Sequence, residues 1–333
     1  MGYEVYQNLS LKNNANNAKN TVSTKSNMES TSKNIGNLPG NLSAGAFSVF
    51  DGDSLFYAGK DGIYKCPISE SSEISSENSK KIADGRFSSL NYFNENLYCI
   101  NMADNCVYKL SDLNNESGNP YIDKIYTSDA GFELKCIGIN SDNVYVLSKY
   151  ADSYVLKSAN LRIKNKVNDV WSGSATNAWM YLNDSTLRLC VANSSSWEAL
   201  KGDIDGNKTS GLIKYCSGAG SPASVAFEED KIFVLNSSRS QNSSSISVCD
   251  SGGGRSDINL NSPAKSMLLS GQTVFVESDN QHFLWFNTDT NMTHDIDGDF
   301  KNCEVRAINI NDGKFCVIYA DDTVLFSDID SLN

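Results

Sequence analysis

The side chains able to do chemistry are few and scattered. A serine nucleophile needs a neighbouring base to take its proton. The run Cys249-Asp250-Ser251-Gly252-Gly253 offers a serine, but the two histidines, His282 and His294, both follow it, and the glycines suit a tight turn between strands. Hard cations want several oxygens, which Asp203 with Asp205, and Asp295 with Asp297 and Asp299, supply only in part. A complete calcium loop adds a glutamate at its twelfth position, where these runs place Lys214 and Arg306. Weak calcium binding is therefore open but not favoured, and no cofactor is expected. Glycoside hydrolysis needs two acids facing across a pocket. Asp84, Asp129 and Asp152 fall in expected loops, yet no pair stands out. Large aromatic and arginine side chains near loops are the better candidates, as anchors for a partner: Arg86, Phe87, Phe132, Tyr150 and Trp197, with His282 added from its own loop. The corner rings among them suit packing between blades better, which leaves Arg86 and Tyr150 as the leading anchors.

What must position these residues follows from composition and period. The chain has 333 residues and a net charge of −12, so its field repels phosphate backbones, and nucleic acid is not expected as a partner. No stretch reaches the apolar length that spans a bilayer, so membrane insertion is not expected either. The opening MGYEVYQNLSLKNN lacks the cationic and apolar regions of a secretory leader. Localisation stays open on this reading. The nine cysteines include no Cys-x-x-Cys pair and are odd in number, which argues for free thiols over a disulfide framework or zinc site. Cys99 and Cys106 flank one turn and are the single pair considered for linkage. Asn-x-Ser/Thr sequons recur because asparagine and serine are abundant, and they carry no argument for glycosylation.

Seven times the chain repeats an entering strand, a polar turn, an aromatic-rich strand, a second turn and a third strand, at a period of about 43 residues. The middle strands begin SLFYAG at Ser54, NLYCIN at Asn96, NVYVLS at Asn143, TLRLCV at Thr186, KIFVLN at Lys231, TVFVES at Thr273 and KFCVIY at Lys314. Their preceding turns are rich in Asn, Asp, Gly and Ser, as tight hairpins require. Glycines recur where one unit leads into the next: Gly45, Gly85, Gly131, Gly298, and by the same reading Gly173 and Gly218. Helical periodicity is absent. Regular short strands in units of this length predict an all-β propeller of seven blades, each of about four antiparallel strands.

Residues 36–333 form the propeller on this reading, and residues 12–35 a flexible Asn/Ser-rich linker. Before the linker, Tyr3, Val5, Leu9 and Leu11 alternate with polar residues, so residues 1–11 are expected to offer a strand that closes the ring against the last blade.

The first repeat, residues 36–66, carries Gly-Asn doublets at Gly36 and Gly40, the glycine corner, a Leu-Phe-Tyr strand and an Asp-Gly-Ile-Tyr-Lys strand. It resembles an uncharacterised bacterial β-propeller family, common in clostridial proteins and related to low-density-lipoprotein-receptor-type propellers. The likeness is good over two repeats and fades afterwards. It implies a ring of four-stranded blades used for binding, commonly at a cell surface, and six blades where the period counts seven. No catalytic residue is implied. The expectation is a non-enzymatic module that recognises a protein or glycan through one propeller face. Alternatives are a structural subunit of a larger particle, such as a phage tail or secretion machine, and a propeller glycan hydrolase or lyase.

Overall fold

The structure, a computed structural model, describes residues 47–328 except 52–53, 69–72, 116–118, 183–184, 207, 229–230, 239–242, 271–272, 279–281, 289, 291, 297–302 and 312–313. Its strands form seven antiparallel sheets, the blades of a seven-bladed β-propeller. The count follows the period rather than the resemblance. The inner strands are Ser48–Asp51, Phe87–Phe93, Glu133–Ile139, Asn177–Leu182, Pro222–Glu228, Ala264–Ser270 and Val305–Asn311, which number blades 1 to 7. In each blade the second and third strands are those picked out by the repeat, and a fourth strand lies outermost.

The middle strands explain the packing. In Ser54–Ala58 the four residues Leu55, Phe56, Tyr57 and Ala58 are all buried, with no polar alternation. Successive side chains point to opposite faces of a sheet, so such a strand has a neighbour on each face. Leu55 and Tyr57 pack against blade 7, among Ala307, Cys316 and Ile318. Phe56 and Ala58 pack against blade 2, among Leu90, Leu97 and Cys99. The pattern recurs around the ring, with one apolar cluster at each of the seven blade boundaries. Hydrophobic burial therefore acts between blades, and each blade is held by its neighbours.

Beyond the apolar cluster at their boundary, strand pairing and polar contacts join blades 7 and 1. The outer strand of blade 7 is Glu73–Ile74, which leaves the chain between the third and fourth strands of blade 1 and pairs with Val324 and Leu325. The closing strand expected from residues 1–11 lies outside the described residues, and the edge it was assigned to holds Glu73–Ile74 at these two positions. On the inner strands, Asn309 donates from Nδ2 to Ser48 Oγ at 3.0 Å, both residues buried. At one end of the blades, Arg306 donates to Asp322 Oδ1 at 2.6 Å, to Ala58 O at 2.9 Å and to Ala320 O at 3.3 Å. The Lys60 backbone N–H donates to the same carboxylate at 3.1 Å.

Two expectations are corrected. Cys216 and Cys249 form a disulfide with Cα atoms 6.5 Å apart, joining the outer strand of blade 4 to the third strand of blade 5. Hairpin spacing cannot reveal a pair brought together by two different blades. Cys99 and Cys106 are free and buried. Gly173 and Gly218 lie inside outer strands, where a Cβ would sit 2.6 Å from the Trp171 ring and 2.5 Å from the Trp197 ring. Those glycines make room for indoles. The corners proper are at Gly85 (φ 135°), Gly131 (φ 84°) and Gly220 (φ 104°), a left-handed conformation that favours glycine.

Candidate functional site

Propeller topology puts two sets of turns on one face: those joining second to third strands, and those leading from an outer strand into the next inner strand. On blades 2 and 3 these turns are tied into one continuous sector. Met102 donates its backbone N–H to Arg86 O at 2.7 Å. Asn105 bridges the turn of blade 2 to the corner of blade 3: its Nδ2 donates to Phe132 O, and its Oδ1 accepts from Leu134 N at 2.9 Å. The Phe132 and Tyr150 rings meet at 5.2 Å between centroids, tilted by 34°. Lys149 carries the sector on towards blade 4 by donating from Nζ to Thr176 O at 3.0 Å.

The result is an exposed apolar and cationic surface on a rigid base. Tyr150 is 53% exposed and Met102 48%, with Arg86 exposed and Phe132 half-buried. Asp129 bonds Lys157 Nζ at 2.5 Å and holds that ammonium above its ordinary value. Of the anchors expected from sequence, Phe132 and Tyr150 are brought into contact, Arg86 lies on the same face at the preceding corner, tied through its carbonyl to the turn of blade 2, and Met102 is the member that the sequence pattern passed over.

The others are placed elsewhere. Phe87 is 5% exposed and belongs to the cluster between blades 1 and 2. Trp197 is 1% exposed, packed between blades 4 and 5, with the Arg255 guanidinium 5.8 Å from its ring centre. His282 is exposed in the second-to-third-strand turn of blade 6, where Nε2 lies 3.4 Å from Asp295 Oδ1. His294 stacks on Trp285 at 4.5 Å.

The remaining chemical candidates act as turn structure. Asp250 Oδ1 accepts from Gly252 N at 2.9 Å and Gly254 N at 2.8 Å, which organises the turn holding Ser251. Asp203 and Asp205 lie on the long third strand of blade 4, which folds back at Gly206 onto Lys208–Thr209. Asp297 and Asp299 lie outside the described residues. Among the described residues no three His, Cys, Asp or Glu side chains converge as a metal site would require.

A second pattern on the same face was not expected. In blade 1, Asp61 accepts from Tyr64 Oη at 2.5 Å and from Lys81 Nζ at 2.6 Å. Blade 2 repeats the arrangement with Asp104, Tyr108 and Lys124. The Lys81 and Tyr64 bonds hold the Asp61 carboxyl below its ordinary 3.8. A depressed folded value gives stability that is present above the unfolded pKa and lost as pH falls through the folded one. The thermal midpoint is thus expected to fall below about pH 4, and Asp61→Asn to make that fall shallower. A midpoint scan from pH 2 to 7 on both proteins measures it. An identical slope would remove Asp61 from the acid response.

No protein-family model matches the chain, and no curated protein matches it. Solved structures do. A computationally designed protein, Ika8, is similar with a TM-score of 0.52 and 12% identity, over 89% of this chain and 100% of that one. A chain from a nidogen/laminin complex is similar with a TM-score of 0.50 and 10% identity, over 73% and 92%. A chain from a complex of BBS1N with ARL6DN has a TM-score of 0.56 and 12% identity, over 89% and 94%. At these identities the likeness is one of fold, and of the expected resemblance it supports the propeller-type fold.

Proposed function

We propose that this chain is a non-enzymatic binding module that docks a protein partner on the face formed by blades 2 and 3, in keeping with the bacterial propeller family that its first repeat resembles. The observation that carries this is the Phe132–Tyr150 ring pair, whose Tyr150 ring is exposed, on turns cross-tied by hydrogen bonds to the turn and corner that carry exposed Met102 and Arg86. Aromatic and arginine side chains on a preorganised base lose little entropy on binding and are the residue types that dominate interface energetics. Two of the similar folds come from solved complexes, nidogen with laminin and BBS1N with ARL6DN, which supports a protein as the partner class.

Affinity capture from the native organism tests this reading, using the wild-type chain, the double variant Tyr150→Ala/Arg86→Ala, and Ile213→Ser on the outer edge of blade 4. Truncating an interface anchor costs about 2 kcal/mol, roughly 30-fold in affinity. The partner is expected to be retained by wild type and Ile213→Ser and lost by the double variant. Equal retention by the double variant would overturn the assignment, and recovery of a glycan or a stoichiometric particle instead would replace it with one of those readings.

A further inference from the structure

The opposite face of the ring holds a cleft of about 290 Å³ between blades 1 and 2, lined by Ser54, Lys65, Pro67, Lys80, Leu113 and the Asn114–Asn115 turn. Its charge departs from that of the neighbouring blade. Lys65 on the third strand of blade 1 lies directly opposite Lys80 on the outer strand. Like charges facing one another across an antiparallel pair are destabilising. Blade 2 shows the ordinary solution at the same place in the repeat, where Lys109 faces Asp123. The Tyr-Lys pairs Tyr64-Lys65 and Tyr108-Lys109 correspond, as do the registers Tyr64 to Lys81 and Tyr108 to Lys124. Blade 1 thus carries a lysine where its neighbour carries the compensating acid. Among the described residues, neither Lys65 nor Lys80 makes an ion pair, and the Lys65 ammonium is held by the Asn114 side-chain oxygen.

We propose that this cleft binds a carboxylate side chain of an acidic peptide segment, which completes the charge pairing that blade 2 makes internally. Two ammonium groups on flexible stems suit a single carboxylate. Ser54 and Asn114 place polar groups at the same cleft, and Leu113 and Pro67 give its walls an apolar component for the methylenes of an aspartate or glutamate. The lining includes no aromatic ring for a sugar to stack on, which favours a peptide over an acidic glycan. The chain's net −12 does not oppose this locally, because charges are screened over about 8 Å at physiological ionic strength.

Fluorescence anisotropy of a labelled ten-residue Asp/Glu peptide, at physiological ionic strength, tests the proposal. Lys65→Gln and Lys80→Gln should each weaken binding by about tenfold, while Lys109→Gln leaves it unchanged. Lys80→Asp restores the blade 2 pairing, so it should abolish binding and raise the thermal midpoint of the free protein. Wild-type affinity in both glutamine variants would overturn the site. A lower midpoint for Lys80→Asp would overturn the charge argument. Binding of an oligogalacturonate with the peptide silent, or of inorganic phosphate alone, would overturn the peptide as its occupant.

Discussion

Replacing Asp322 with alanine is expected to destabilise the ring by about 3 kcal/mol, because it leaves the partly buried Arg306 guanidinium without its counter-charge. The Asp322 side chain is 6% exposed and that of Arg306 19%. Removing the carboxylate also orphans the Lys60 N–H, so a link between blades 7 and 1 is lost as well. Arg306→Ala is expected to cost a similar amount for the converse reason. The informative variant is the double replacement Arg306→Met/Asp322→Leu, which removes both charges and should be much less harmful than either single change. Urea unfolding of the four proteins measures this, with the midpoint and slope followed separately. Additive losses in the double variant would show that the pair acts through something other than mutual charge compensation.

Phe315→Ala is expected to cost about 3–5 kcal/mol by a different route, the opening of a cavity between blades 6 and 7. Phe315 is fully buried and touches two rings of the neighbouring blade, Phe275 stacked at 5.6 Å and Phe283 edge-on at 5.3 Å. Packing at this boundary is shared, so Phe315→Ala and Phe283→Ala should not add, whereas Phe315→Ala and Phe56→Ala, at separate boundaries, should. The same denaturation assay reads both outcomes. Additivity of the Phe315 and Phe283 losses would mean that the two rings do not share one packed site.

The contrast between those two predictions explains what the sequence disclosed. Apolar packing such as that of Phe315 is local in its signature: a short aromatic-rich strand after a polar turn, repeated seven times, was enough to place every second and third strand and hence the blade count. Fourth strands were harder because they have solvent on one side. Tyr121–Thr127 is exposed over most of its length, so it lacks the apolar run that marks its neighbours. Contacts between blades left still less trace. Arg306 with Asp322, Cys216 with Cys249, and Glu73–Ile74 on the edge of blade 7 all depend on which blades the ring brings together. The site divides the same way. Arg86, Phe132 and Tyr150 were legible as large side chains near corners, but nothing in their types distinguished Phe132 from Phe87, which the start of an inner strand turns into the core. Met102 carried no signal, since a methionine in a turn stands out only once its exposure is known.

The strand lent by blade 1 to blade 7 also has a temporal meaning. During synthesis Ile74 precedes its partner Val324 by 250 residues, the difference of their positions. At about 5–20 residues per second, blade 1 emerges roughly 12–50 s before the edge that Glu73–Ile74 will cover. Over that interval the first blade also lacks its apolar neighbour on the blade 7 side, so Leu55 and Tyr57 are uncovered together with the loose strand. Any factor that shields nascent chains would find its longest-lived target in the first blade made, and the last blade to emerge would displace it.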